Sequence, residues 1–225
     1  MNTAPTSAID IGPVAQPSRS LAVRGVARDL WTLTKPEVNF LIVIATFAGF
    51  YLGNASQANP FRYGRLFHAL VGTLLVASGA GVLNQFLEYR FDSIMRRTAR
   101  RPIAAGRLRP STALWFGILL SAFGAAYLLL AVNALASLLA VATLGTYLFV
   151  YTPLKRKTPL STVAGAFPGA MPHLIGWVAA GGSMSSPKAW LLYSLLFLWQ
   201  FPHFMAIAWM YREDYARAGY RLLPQ

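Results

Sequence analysis

The sequence contains no cysteine, so disulfide bonds and thiolate metal sites are excluded. Charged residues are also scarce: they make up 12% of the chain, against about 25% in typical soluble domains. Acidic residues are the rarest, since only 7 Asp and Glu accompany 20 Lys and Arg. The few charges are clustered, and the stretches between them are long and apolar.

Several uncharged stretches are long enough to cross a membrane, which takes about 20 apolar residues in a helix. The four longest are 38–61, 66–87, 110–154 and 158–211, the last interrupted by Lys188 alone. The third and fourth can each form two helices. The sequence therefore predicts an all-α polytopic membrane protein with six spanning helices, at 38–54, 66–90, 112–131, 134–152, 162–180 and 188–211.

Basic residues lie mostly on one side of this predicted bundle. All but three of the 20 Lys and Arg fall on the side of both termini, the exceptions being Arg62, Arg65 and Lys188. The positive-inside rule places both termini in the cytoplasm. We expect the bundle to lie in the cell (inner) membrane. Because this placement follows membrane topology, the net charge of +13 does not indicate a nucleic-acid partner.

The N-terminal segment differs from the rest of the chain. Its first residues are rich in Ser, Pro, Thr and Ala and lack the apolar core of a signal peptide. We expect residues 1–29 to be a disordered cytoplasmic segment and residues 30–225 to form the membrane domain.

A first acidic group, Asn84, Glu88 and Asp92, lies at the end of the second predicted span. Residues four apart share one face of a helix, so three oxygen-bearing side chains line one stripe. Oxygen ligands suit Mg²⁺, and arginine binds phosphate through forked hydrogen bonds. Four arginines follow: Arg96, Arg97, Arg100 and Arg101. The alternative is an ordinary charged helix end, in which Asp92 pairs with Arg96.

A second acidic group, Tyr211 and Asp214, follows the sixth predicted span and is flanked by Arg212 and Arg217. Tyr211 and Asp214 are three residues apart and share a face if the helix continues. Two acidic helix ends on one side can hold a polyphosphate between metal ions. The alternative is a solvated end of a spanning helix.

An aromatic and basic segment ends the fourth predicted span. Tyr147 and Tyr151 share a helix face, and Lys155 and Arg156 follow. One interpretation is a pair of rings that stabilises a cation beside a phosphate-binding Lys or Arg. The other is an interfacial aromatic belt with cations that set topology.

Two histidines, His173 and His203, each follow a proline in an apolar segment. Either could ligate haem iron. A lone histidine in a membrane more commonly bonds a neighbouring helix.

Three stretches, 84–102, 151–177 and 199–224, resemble the haem O synthases, a family of protohaem IX farnesyltransferases in the UbiA-type prenyltransferase superfamily. The acidic motif is general to that superfamily, whereas Pro-His-Phe at 202–204 and Tyr-x-x-Asp-Tyr at 211–215 are particular to haem O synthases. The resemblance implies a nine-helix bundle, of which this chain holds about six helices and is expected to be truncated at its C-terminus.

The resemblance also implies a reaction, the transfer of a farnesyl group from farnesyl diphosphate to a vinyl group of haem B, giving haem O. Mg²⁺ assists departure of the diphosphate, and haem B is a substrate, not a cofactor. Its implied metal ligands are Asn84, Glu88, Asp92 and Asp214, with Tyr151 and Tyr211 as further catalytic residues. Its implied substrate-binding residues are Arg96, Arg97, Arg101, Lys155, Arg156 and His203. Implied protein partners are haem A synthase and oxidase-assembly proteins.

The sequence departs from the family at Glu88, Ser161 and His173, where we expect Asp, Asn and Pro in many relatives. Two alternatives stay open. One is a sibling prenyltransferase for an aromatic or quinone-precursor acceptor, which would share the diphosphate site. The other is an inactive fragment or non-catalytic membrane protein, such as a transporter.

Overall fold

The computed structural model describes residues 19–57 and 60–220, with side chains from residue 25 onward. Within those ranges the protein is a helical bundle without strands. Its helices are α1 (Arg19–Leu33), α2 (Pro36–Ala55), α3 (Tyr63–Asp92), α4 (Pro110–Ala131), α5 (Ala134–Leu154), α6 (Ser161–Ala179), α7 (Pro187–Met210) and α8 (Arg212–Arg217). The segment Thr146–Tyr151 of α5 is wound as a π-helix.

Helix boundaries follow local chemistry. Pro36, Pro110 and Pro187 begin α2, α4 and α7, because proline fits the first turn, where its missing N–H is not needed. Asn133 caps α5 by accepting a hydrogen bond from the backbone N–H of Ala136 at 2.7 Å.

Five helices, α2, α3, α4, α5 and α7, are long and apolar enough to cross a membrane. The prediction of a multi-pass, all-α membrane protein is therefore confirmed. The sixth predicted span, 162–180, corresponds to α6, which has 19 residues but is not among these five. This helix contains Pro168, Pro172 and His173, and most of it is buried among other helices, so it has less need of apolar side chains.

Close backbone contact holds α6 at the centre of the bundle. A Cβ atom added to Gly49 of α2 would lie 2.1 Å from the carbonyl oxygen of His173, and one added to Gly176 would lie 2.0 Å from that of Thr46. Small residues at such positions let membrane helices approach closely. The packing of α2 on α6 therefore requires glycine at both positions.

The N-terminal prediction is wrong in part. Residues 1–18 lie outside the described residues, but the chain is helical from Arg19 onward, so the expected disorder up to residue 29 is corrected. Asp29 forms an ion pair with Arg107 at 3.0 Å, which ties α1 to the loop after α3. That long-range contact could not be read from the composition of the segment.

Candidate active site

An inner cavity of about 200 Å³ opens where α3 and α5 end. Its walls combine carboxylates, cations and aromatic rings. They include Lys35, Asn84, Glu88, Asp92, Arg97, Arg101, Tyr147, Tyr151, Lys155, Phe204, Tyr215 and Tyr220. Most of the residues predicted from the first acidic group and from the aromatic segment thus meet around one space.

The first acidic group forms a stripe along the last turns of α3. Asn84, Glu88 and Asp92 are 2%, 6% and 1% exposed. All three line the inner cavity. Because buried carboxylates need compensating partners, their surroundings determine what they can bind.

Glu88 is held by three donors, two of them from distant parts of the chain. Lys155 Nζ lies 3.1 Å from each carboxylate oxygen, and the Tyr220 hydroxyl donates to Oε1 at 3.0 Å. The Asn84 amide donates to Oε2 at 2.9 Å and to the Thr152 hydroxyl at 3.1 Å. The carboxylate of Glu88 is therefore neutralised by a lysine from the loop after α5.

Asp92 is bound by Arg101, whose guanidinium nitrogen lies 2.8 and 2.7 Å from the two carboxylate oxygens. The alternative pairing with Arg96, one helical turn away, does not occur, because α3 ends at Asp92 and the chain turns. The backbone carbonyl of Asp92 accepts a hydrogen bond from Thr98 at 2.9 Å, which closes that turn.

The second acidic group lies apart, in an outer cleft lined by Arg96, Met210, Tyr211, Arg212, Glu213, Asp214 and Arg217. Asp214 accepts a hydrogen bond from the backbone N–H of Arg97 at 3.0 Å and also pairs with Arg217. That N–H, with nearby arginines, holds the pKa of Asp214 below its ordinary value.

Arg97 connects the two acidic groups. Its guanidinium lies 4.8 Å from the centre of the Tyr211 ring and 5.8 Å from that of Tyr215. Arg97 also lines the inner cavity. Arg97 therefore joins α8 to the loop after α3, which also carries the cavity residue Arg101.

Aromatic rings form a column along one wall. The Tyr147 and Tyr151 rings stack at 5.6 Å between centroids, and Tyr151 stacks on Phe204 at 6.2 Å. Lys155 Nζ lies 4.5 Å from the Tyr151 ring centre. A Cβ atom on Gly165 would lie 2.6 Å from that ring, so glycine is needed there for the ring to pack against α6.

Three predicted substrate-binding residues lie outside the inner cavity: Arg96, which lines the outer cleft, Arg156 and His203. Arg156 is exposed, with its guanidinium 4.4 Å from the Phe91 ring centre. His203 is exposed and stacks on Trp199 at 4.8 Å. His173 is buried, and neither ring nitrogen has a hydrogen-bond partner, so it does not bond a neighbouring helix.

Several cavity residues were not predicted as site residues, among them Lys35, Phe204, Tyr215 and Tyr220. Lys35, just before the proline that begins α2, was counted for membrane topology and was not predicted as a site residue. Burial, with the neighbouring Arg101 and Lys155, lowers the pKa of Lys35 to about 7. For Tyr220 the signal was weak, because its partner Glu88 is 132 residues away in the chain.

No group of three or more His, Cys, Asp or Glu side chains in the described ranges could hold a metal ion. The first acidic group supplies two carboxylates and one amide oxygen, so a metal there would need further oxygen ligands from its substrate. Mg²⁺ is bound in this way at many phosphate sites. The donor set of the inner cavity therefore fits magnesium accompanied by a phosphate ligand.

A membrane helical bundle whose cavity combines carboxylates with lysine and arginine is suited to bind an anionic substrate accompanied by a metal ion, as intramembrane prenyl-transferring enzymes do. Residues 42–225 match the UbiA prenyltransferase family. The chain belongs to that family, as its motifs predicted.

Individual relatives support the same assignment. The chain is 48% identical to the protoheme IX farnesyltransferase of Solibacter usitatus over 203 residues, covering 88% of this chain and 69% of that protein. It is 43% identical to the protein of the same name from Koribacter versatilis, covering 94% and 67%. The chain thus spans about two thirds of the length of these relatives.

A solved structure shares the fold. The UbiA homolog from Archaeoglobus fulgidus, bound to DMAPP and Mg²⁺, is 17% identical and superposes with a TM-score of 0.68, covering 87% of this chain and 68% of that one. At this identity the likeness establishes the fold alone.

Proposed function

We propose that the protein transfers the farnesyl group of farnesyl diphosphate to a vinyl group of haem B, giving haem O. The family and the names of the relatives support the reaction. The observation that carries it is the inner cavity, where two buried carboxylates and four cationic side chains line one space of about 200 Å³. A magnesium diphosphate bears charges of both signs and needs partners of both kinds.

Asn84, Glu88 and Asp92 are the residues that would hold Mg²⁺. When bound, the metal supplies charge stabilisation for the departing diphosphate. Lys155 and Arg101 now neutralise Glu88 and Asp92. In the substrate complex, these cations exchange a carboxylate partner for phosphate oxygens. Asp214 was predicted as a further metal ligand, and that role stays a prediction, since Asp214 lines the outer cleft.

The transfer breaks the allylic C–O bond, and diphosphate leaves with the electron pair. The terminal vinyl carbon of haem B bonds to the farnesyl carbon, water adds to the other vinyl carbon, and a proton is lost. Arginine and lysine at the cavity stabilise the leaving charge. The Tyr147 and Tyr151 rings form an apolar wall that suits a developing cation and excludes water.

Membrane orientation and partners extend the proposal. The acidic groups, Lys155 and the turn before α2 lie at one end of the bundle, whereas Arg65 lies at the other, donating to the Val132 carbonyl at 2.9 Å. By the positive-inside rule, we place the cavity and both termini on the cytoplasmic side of the inner membrane. Haem A synthase and oxidase-assembly proteins stay the predicted protein partners, since they would receive haem O.

The test is conversion of haem B by membranes that contain the full protein. With farnesyl diphosphate and Mg²⁺, pigment chromatography should show haem O, and a metal chelator should stop its formation. 4-Hydroxybenzoate is offered to the same membranes. Its prenylation without haem O would contradict the acceptor and favour the sibling enzyme, whereas neither product would contradict the proposed activity.

A further inference from the structure

Lys35 occupies a turn with unusual backbone geometry. It joins α1 to α2 with φ 54° and ψ 61°, and it is the one non-glycine residue with positive φ in the described part of the chain. A side chain in this left-handed region costs free energy that glycine would avoid. A lysine thus occupies a position whose backbone geometry favours glycine.

Two buried amides fix this turn against the bundle. Gln85 of α3 donates to the Leu33 carbonyl at 2.8 Å. Asn39 of α2 donates to the Thr34 carbonyl at 2.7 Å and to the Ser78 hydroxyl at 2.8 Å. Because both carbonyls just before Lys35 are held, the position of its Cα is set by α2 and α3.

The Lys35 side chain lies against α3 and reaches the inner cavity. A Cβ atom on Gly81 would lie 3.6 Å from Lys35 Cδ, and Lys35 Nζ lies 3.5 Å from Asn84 Oδ1. Gly81 and Asn84 are about one turn apart on α3. The stem therefore runs along the helix, and the ammonium group ends beside the first acidic group.

The other cations at this cavity already have partners. Lys155 pairs with Glu88, Arg101 pairs with Asp92, and the Arg97 guanidinium faces the Tyr211 and Tyr215 rings. The Lys35 ammonium group forms no ion pair with any carboxylate that the structure describes, and its one hydrogen bond, to the neutral amide of Asn84, is long at 3.5 Å. Lys35 is thus the cavity lysine that can accept an anion without first giving up a carboxylate, whereas Arg97, which has no carboxylate partner either, would have to leave its two rings.

We infer that Lys35 is the residue that binds an oxyanion entering the inner cavity, and that this oxyanion is the diphosphate of the prenyl donor. The inference deepens the proposed function and rests on it for the identity of the donor. The ammonium charge of Lys35 attracts the anion, and the amide-held turn fixes the Cα from which the side chain extends into the cavity.

Binding of inorganic pyrophosphate with Mg²⁺ to the full, detergent-solubilised protein tests this role by calorimetry. We expect Lys35→Met to weaken binding roughly 10- to 100-fold, the effect of losing a charge-assisted hydrogen bond. Lys35→Arg should keep most of the affinity. Lys157→Met is the matched control, since Lys157 is exposed, lies two residues beyond Lys155 and lines neither cavity nor cleft.

A glycine variant separates binding from folding. Lys35→Gly relieves the backbone strain, so its thermal midpoint should equal or exceed that of the wild type while pyrophosphate binding falls as in Lys35→Met. Unchanged affinity in both Lys35→Met and Lys35→Gly would overturn the inference.

Haem B binding, measured on the same variants, distinguishes the two possible sources of an oxyanion. Loss of haem affinity with unchanged pyrophosphate affinity would assign Lys35 to a propionate and overturn the inference. Lys35-dependent pyrophosphate binding in a protein that makes no haem O would refute the proposed function and leave the anion-binding role of Lys35 intact.

Discussion

The two acidic groups have similar sequences but different surroundings. Both consist of an acid near the end of a helix with arginines close by. In the first group, Glu88 and Asp92 are buried and line the inner cavity, and each is neutralised by a cation from another part of the chain. In the second, Asp214 lines the outer cleft and is bound by a backbone N–H and by Arg217, three residues on.

The difference shows that an acidic motif acquires its role from what surrounds it. Burial of Glu88 and Asp92 strengthens the electrostatic interactions at the first group. At the second group Asp214 is also buried, being 7% exposed, but its partner Arg217 is exposed, so solvent weakens that ion pair. We therefore expect the first group to bind the reacting substrate and the second to position Arg97 and α8 beside it.

The largest effect should come from the first group. Glu88→Gln and Asp92→Asn should each lower haem O formation by about 10²- to 10³-fold, because each removes a charge from the cavity where the leaving diphosphate is stabilised. Pigment chromatography of membranes with matched protein levels measures this. Glu37→Gln, at an exposed carboxylate near the start of α2, is the control and should retain activity. Normal turnover in both cavity variants would contradict the assignment of Glu88 and Asp92 to the substrate site.

A smaller loss is expected at the second group. Asp214→Asn should lower the rate roughly tenfold. The side chain at position 214 can still accept a hydrogen bond from the Arg97 N–H, but it no longer carries a negative charge. Steady-state kinetics at varied farnesyl diphosphate measure it. A loss as large as that of Asp92→Asn would break the comparison, because it would make Asp214 a direct ligand, as its sequence motif first predicted.

Tyr220 tests the contact between the two regions. Tyr220→Phe removes the hydroxyl that donates to Glu88 but keeps the ring that packs near Met95 and Ala218. We expect a decrease in rate of roughly 3- to 10-fold, as for loss of one hydrogen bond, with an unchanged thermal midpoint. A fallen midpoint with normal turnover would show that the hydroxyl serves folding alone.

The smallest effect should come from the outer edge of the second group. Arg212 is exposed and contacts Trp209, with its guanidinium 5.1 Å from the ring centre. Arg212→Met should change haem O formation by no more than about twofold, because solvent screens exposed charges. Arg101→Met, which removes the cation that binds Asp92, is measured beside it and should lower haem O formation more than Arg212→Met does. Equal losses would show that the outer cleft also binds substrate.

Much of the fold could be predicted because its cause is local. Uncharged runs of spanning length predicted the membrane helices, including α6, which is mostly buried and is not among the five helices apolar enough to cross a membrane. The stripe of Asn84, Glu88 and Asp92 followed from the helical repeat. The N-terminal helix was missed because its contacts, such as Asp29 with Arg107, join distant parts of the chain.

The sequence by itself determined the spanning segments, the carboxylate stripe and the family, since each depends on residues close together in the chain. Only the tertiary structure decided which charges meet: Lys155 reaches Glu88 across 67 residues and Tyr220 across 132. It also brought Lys35 into the cavity and left Arg156 and His203 outside it. The physical reason is that ion pairing between helices depends on packing, and packing depends on glycine contacts and turns that no local pattern encodes.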